Sequence, residues 1–212
     1  MEPKPTHLPL FLLLLLSSVS ESAIVKPSSS SSNPSISFIV SSCRVTRYPK
    51  LCVKCLSAYA PKIHRNEHRL AQAALATTLA RAKSTTVFVS KLACARHIKR
   101  REYLAVKDCV ENLGDGVDRL AESAREMNRL GPGGDRTEFM WRMSNVETWV
   151  SAALTDETTC LDGFGGRAMD GVVKVAIRRR VVHVARVTSN ALALVNRFAD
   201  RHRSSVIVDN NP

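Results

Sequence analysis

Four long stretches of this chain repeat their apolar residues at steps of three and four, a period that confines them to helices. From about Asn66 to Leu92 the stripe is Ala71, Leu75, Thr78, Ala82, Thr85, Val89 and Leu92. From about Glu102 to Leu130 it is Val106, Cys109, Leu113, Val117, Leu120, Ala124 and Met127. From about Thr137 to Cys160 it is Phe139, Met143, Val146, Val150, Ala153 and Leu154. From about Arg167 to His202 it is Val173, Ile177, Val181, Val184, Thr188, Ala191, Val195 and Phe198. Glycines at 131–134 and 163–166 break these stretches apart. The last stretch is rich in β-branched residues, which lowers helix propensity, but its period of 3.5 rather than 2 keeps it helical. Long helices with short connections predict an all-α, up-down-up-down four-helix bundle. Residues 36–60 read as shorter pieces, interrupted by Pro49 and Pro61.

The N-terminus constrains where the chain goes. Lys4 precedes an apolar run, Leu8–Leu16, and small residues follow through Ser22. This is the layout of a secretory signal peptide over residues 1–22, and the run is too short for a bilayer span of about 20 residues. Residues 23–35 are Ser-rich and read as a flexible tether. The chain carries a net charge of +12. Lys4 against Glu2 and Glu21 gives the leader −1, leaving +13 on the remainder. So basic a secreted protein adheres to polyanions, including nucleic acid, anionic lipid and acidic cell-wall polysaccharide. The leader argues against the nucleus, and so against a nucleic-acid partner. No later segment is long and apolar enough for a membrane. Asn33 precedes Pro34, so the chain has no N-glycosylation acceptor.

Secretion makes Cys43, Cys52, Cys55, Cys94, Cys109 and Cys160 a disulfide question, with 15 connectivities open to sequence alone. Three segments that hold these cysteines, and one other, carry a resemblance. Met143-Ser-Asn-Val-Glu-Thr-Trp-Val-Ser-Ala-Ala-Leu-Thr-Asp-Glu-Thr-Thr-Cys-Leu-Asp-Gly-Phe164 is similar to the hallmark of the plant invertase/pectin methylesterase inhibitor family. So are Cys43 with Thr46-Arg-Tyr-Pro-Lys-Leu-Cys52, Ala105-Val-Lys-Asp-Cys109, and Thr188-Ser-Asn-Ala-Leu-Ala-Leu194. The resemblance spans about residues 35–202. It implies a four-helix bundle (62–204) preceded by a small helical hairpin (36–61), a tail at 205–212, and bridges Cys43–Cys52 and Cys109–Cys160. Cys55 and Cys94 fall outside that pair. They are open to three readings: a third bridge from the hairpin to the end of the first bundle helix, free thiols buried as small hydrophobes, or a redox pair at Cys52-Val-Lys-Cys55, which lacks the βαβ context such a motif needs.

Glu111, Asp115, Asp118 and Glu122 step by four, three and four, so they form one ridge opposite the apolar stripe of their helix. The ridge reads either as solvated carboxylates partly paired with Arg119 and Arg125, or as a strip facing a partner. The resemblance implies that acidic positions after this cysteine contact a pectin methylesterase, and that Thr159 is an interface position or a cap. Trp149 reads as core or near-core. His64 and His68, four apart, read as a surface pair sharing a helix face rather than a metal site. Lys99-Arg100-Arg101 and Arg178-Arg179-Arg180 read as solvated basic runs or contacts to an acidic partner.

No serine lies in a nucleophile-elbow setting, and no glycine-rich phosphate loop follows a strand. The expectation is a protein without catalytic residues, cofactor or metal. The resemblance implies a secreted inhibitor that binds a pectin methylesterase one-to-one in the cell wall and blocks its substrate cleft. Inhibition of an invertase is the alternative, although Leu130-Gly-Pro-Gly-Gly-Asp-Arg-Thr-Glu-Phe139 lacks that branch's Pro-Lys-Phe element. A detached regulatory pro-region and a basic polyanion-binding structural protein are further readings. The charge predicts electrostatic association with acidic pectin.

Overall fold

The computed structural model describes residues 33–208 except 96–97 and 132–134, with side chains as far as Arg203. The expected signal peptide and most of the Ser-rich tether lie outside the described residues. Among these residues every regular element is helical: α1 Pro34–Cys43, α2 Pro49–Leu56, α3 Ala60–Ile63, α4 Glu67–Leu92, α5 Arg100–Arg129, α6 Arg136–Asp162 and α7 Val172–Val208.

The ends follow local chemistry. α1 begins at Pro34, inside the expected tether, because the Asn33 side chain accepts the Ser35 N–H and Pro34 fits the first turn. Pro49 likewise opens α2. Asn66 caps α4 by accepting the Arg69 N–H at 2.9 Å, and Asp135 caps α6 by accepting that of Glu138. α7 starts at Val172 rather than near Arg167, since a single 3-10 turn, Arg167–Met169, follows Gly166 at a φ of 74°. It runs on to Val208, past the expected domain end at 204. His64 and Arg65 both adopt positive φ, 47° and 60°. That left-handed turn separates α3 from α4, so His64 shares no helix face with His68, which instead stacks on Phe198.

Four long helices form a ring in which α4 meets α5, α5 meets α6, α6 meets α7 and α7 returns to α4. Cross-helix pairs show each neighbour running antiparallel. Gln72 bonds Asn128 while Thr86 bonds the Leu113 carbonyl. Cys109 joins Cys160 while Glu126 meets Arg142. Thr188 meets Glu157 while Arg203 meets Glu147. Glu67 meets Arg197 while Arg81 meets His183. The stripes read from the sequence line the interior: all eight of α7, Val173 through Phe198, are buried. Each fully buried Val or Leu contributes roughly 2 kcal/mol.

The core has two lobes. One joins α1 and α2, through Ile39, Cys43, Cys52 and Leu56, to Leu75, Leu120, Val150 and Val195 of the long helices. The other gathers Val89, Val106, Leu113, Ile177 and Val181 around Phe164, which is wholly buried. The Cys43–Cys52 bridge closes the loop between α1 and α2. Asn190 then ties that loop to α7, accepting the Tyr48 N–H and donating to the Tyr48 carbonyl, both at 3.0 Å.

Candidate partner-binding face

The α5–α6 seam is the most heavily fastened in the molecule. Gly116 is buried in this seam, where a Cβ would stand in ordinary contact, 3.5 Å from the Ala153 carbonyl oxygen and 3.6 Å from the Asp156 Cβ. Cys109–Cys160 joins them covalently with Cα atoms 4.2 Å apart. Arg119 Nε donates to Asp156 at 2.8 Å. Glu126, buried, accepts from Arg129 at 2.5 Å and Arg142 at 2.6 Å. Burial alone would push the Glu126 carboxyl up, but hydrogen bonds from Arg142 and Arg129 and their charges hold it below the usual range.

Glu111, Asp115, Asp118 and Glu122 are all exposed on the outer side of α5. Only part of the expected pairing occurs. Glu122 pairs with Arg125, but Arg119 turns to Asp156 on α6 instead of back onto its own ridge. Among the described residues, Glu111, Asp115 and Asp118 make no ion pair, so their charges are presented to solvent on a rigid helix. Thr159 is exposed beside the bridge, its hydroxyl donating to the Thr155 carbonyl at 2.9 Å. Glu111 and Thr159 each lie within two residues of a bridged cysteine, so the bridge brings them to the same end of the α5–α6 face. Trp149 is half-buried and Trp141 exposed.

A groove of about 690 Å³ between α6 and α7 was not anticipated from the sequence. Thr148, Ser151 and Thr155 line it from α6, Asn196 and Arg203 from α7. The 148-151-155 spacing of small hydroxyl residues, between buried Val146, Val150 and Ala153, was the available signal.

Cys55 and Cys94 are unpaired, which corrects the third-bridge reading. Cys55 is buried where α2 meets Ala74 and Thr77 of α4. Cys94 is exposed beyond the far end of that helix, and 17 residues separate it from Thr77. At 1.5 Å of rise per residue this is a gap of about 25 Å. No group of three or more His, Cys, Asp or Glu side chains suited to a metal occurs among the described residues.

One titratable group sits inside the bundle. Glu157 is 1% exposed; its Oε1 accepts from the Thr188 hydroxyl at 2.8 Å and its Oε2 has no partner. Burial pushes its carboxyl up to about 8, against the Thr188 bond and with help from Asp156. Glu157 is therefore protonated in mildly acidic surroundings, a core polar group rather than part of the outer face.

The chain matches the family model described as plant invertase/pectin methylesterase inhibitor over residues 37–194. It is 60% identical over 195 residues to Pectinesterase inhibitor 9 of Arabidopsis thaliana, covering 91% of this chain and 94% of that protein. It is 45% identical to Pectinesterase inhibitor 11 of the same plant, covering 91% and 96%. The crystal structure of a mutant form of an Arabidopsis pectin methylesterase inhibitor superposes with a TM-score of 0.58 at 23% identity, over 73% of this chain and 92% of that one. A helical bundle with two bridges, the four sequence motifs and near-full-length relatives agree: this chain belongs to the plant invertase/pectin methylesterase inhibitor family.

Proposed function

We propose that this protein is a secreted inhibitor that binds a pectin methylesterase one-to-one and covers its substrate cleft with the α5–α6 face. The observation that carries the reading is the 60% identity along nearly the whole of a protein named a pectinesterase inhibitor. The geometry suits it. A face clamped by a disulfide and by Arg119–Asp156 loses little ordering entropy on docking. The row of Glu111, Asp115 and Asp118 supplies carboxylates that make no ion pair among the described residues, and Thr159 adds a hydroxyl at the same end. Such a strip steers and orients a partner more than it adds raw affinity. The complex forms in the apoplast, and among the described residues no helix is long and apolar enough to cross a membrane. No chemistry by the inhibitor is needed.

The test is a titration of oxidised protein into a plant pectin methylesterase and, separately, a cell-wall invertase. Stoichiometric loss of esterase activity alone is the expected result; loss of invertase activity alone, or of neither, overturns the reading. Glu111→Lys with Asp115→Lys is expected to weaken esterase binding about tenfold or more. Unchanged affinity would make the row an ordinary solvated face.

A further inference from the structure

Charge is divided sharply along this chain. Between Asn33 and Arg101 there are fourteen lysines and arginines and one acid, Glu67. Between Gly171 and Ala199 there are six and none. The intervening Glu102–Asp170 carries fourteen acids against seven basic residues. The fold turns this into geography: α4 packs beside α7, with α2 against both, so the side they form has almost no carboxylate, while α5 and α6 hold nearly all of them.

On the basic side the cations converge. A groove of about 560 Å³ runs along α7, lined by Arg178, Arg179, Arg180, His183 and Arg186. It shares Arg180 and His183 with a second groove, about 310 Å³, that adds Arg81 and Tyr59. Arg178 to Arg186 spans about 12 Å of helix. Two of these guanidinium groups, Arg180 and Arg186, lie over aromatic rings instead of against carboxylates. Arg180 lies 4.6 Å from the Phe88 ring centre, and Arg186 and Arg47 lie 5.3 Å and 5.8 Å from that of Tyr48. Stacking fixes a guanidinium by its plane and leaves its N–H edges free to donate. Arg81 gives one N–H to the His183 ring at 3.1 Å, and its Nε has no acceptor. Partial burial and the charges of Arg81, Lys54, Arg186 and Arg180 hold the His183 imidazole below its usual range. Arg180 and Arg186 are thus preorganised donors in a groove that no carboxylate lines.

We infer that the α2–α4–α7 side is a docking surface for an acidic polysaccharide, a polyuronate whose repeated carboxylates lie along the arginines of α7. The choice of polyuronate rests on the proposed function, since removal of methyl esters from pectin is what creates such carboxylates. Single-stranded nucleic acid fits less well, because it needs open aromatic faces for its bases, and the Tyr48 and Phe88 rings are already covered by guanidinium groups. The surface lies away from the acidic row of α5. One molecule can therefore rest on de-esterified polymer while its other side meets the esterase that produces it.

The experiment measures binding of the oxidised protein to polygalacturonate and to fully methyl-esterified pectin, with esterase inhibition assayed in parallel. Expected is salt-sensitive binding to polygalacturonate only. Arg178→Glu with Arg179→Glu, both fully at the surface, should weaken it about tenfold or more and leave inhibition unchanged. Arg186→Gln, which removes one charge but keeps a polar side chain, should weaken it less. Binding that ignores salt, equal binding to the esterified polymer, or tighter binding to single-stranded DNA or anionic vesicles overturns the inference. So does loss of esterase inhibition in the double variant, which would put these arginines in the esterase interface. A protein that binds polygalacturonate yet inhibits no esterase leaves this surface standing and removes the proposed function instead.

Discussion

The α5–α6 seam and the α4–α7 seam hold the same bundle together by different means. The first is fastened by a disulfide, by Arg119–Asp156 and by Glu126 between two arginines. The second relies on small buried side chains, Ala71, Ala74, Thr78 and Ala82 of α4 facing Val184, Thr188, Ala191 and Val195 of α7. Along α4 beyond Glu67 and along α7 before Asp200 there is no carboxylate with which a cation could pair. Glu67, at the start of α4, meets Arg197 and Arg201 and supplies that seam's ion pairs at one end. Where acids are present, charge does part of the fastening. Where they are withheld, packing must do it, and the surface is left free to be uniformly basic.

The comparison breaks most readily at the bridge. Cys109→Ser with Cys160→Ser should cost about 4 kcal/mol, from the loop of 51 residues that the bond closes in the unfolded chain. Chemical denaturation checks it. A loss under about 1 kcal/mol would show that ion pairs and Gly116 packing suffice for this seam, and that the two seams differ less than their chemistry suggests.

The second largest effect belongs to Glu157, an acid of this half that is buried in the bundle with a hydroxyl rather than a cation as its partner. Its carboxyl titrates near 4.3 when unfolded and about 8 when folded. Between those values the folded chain holds the extra proton, so stability falls as pH rises. The contribution is fully present below about pH 4 and is lost through pH 8. The slope is about 1.4 kcal/mol per pH unit, or about 3 kcal/mol from pH 5 to pH 7. Glu157→Gln keeps an acceptor for Thr188 and should flatten this dependence. A variant with the same slope would place the titration elsewhere.

On the packing side, Ala191→Leu is expected to cost about 1 to 3 kcal/mol. Ala191 is 1% exposed and borders a gap of only about 10 Å³ between α2, α4 and α7. The same substitution at a half-buried position such as Ala152 should cost less than about 0.5 kcal/mol. Equal costs at the two positions would mean that the α4–α7 seam is looser than its buried stripe implies.

Much of this was legible beforehand because helical period is a local property. The four stripes located α4 to α7 to within a few residues, and the resemblance supplied the two bridges. What escaped depends on distance in space. The Thr188-Ser-Asn190 motif looked like one signature, yet its two polar residues serve different neighbours, Thr188 the buried Glu157 and Asn190 the Tyr48 backbone. His64 and His68 satisfied helical spacing, but the positive φ of His64 and Arg65 ends one helix before the next begins. Cys55 and Cys94 invited pairing by elimination, and only the length of α4 between them forbids it. The helix start at Pro34 is legible in Asn-Pro, a cap followed by a first-turn residue, although the serines around it have the composition of a tether.

Arg119 is the smallest lever and the most direct test of how the two faces stay separate. Its own ridge offers Asp115 four residues before it and Glu122 three residues after it, yet it reaches across to Asp156. Arg119 is 41% exposed at the side chain and Asp156 16%, so solvent screens the pair and Arg119→Ala should cost about 0.2 to 1 kcal/mol. Its larger consequence is electrostatic. Removing the cation adds one uncompensated negative charge beside the acidic row, while the bundle stays folded. If that row faces the esterase, association should quicken at low salt and the gain should fade as salt is added. A slower association at unchanged stability would show instead that the guanidinium itself contacts the partner, and that the row acts with Arg119 rather than beside it.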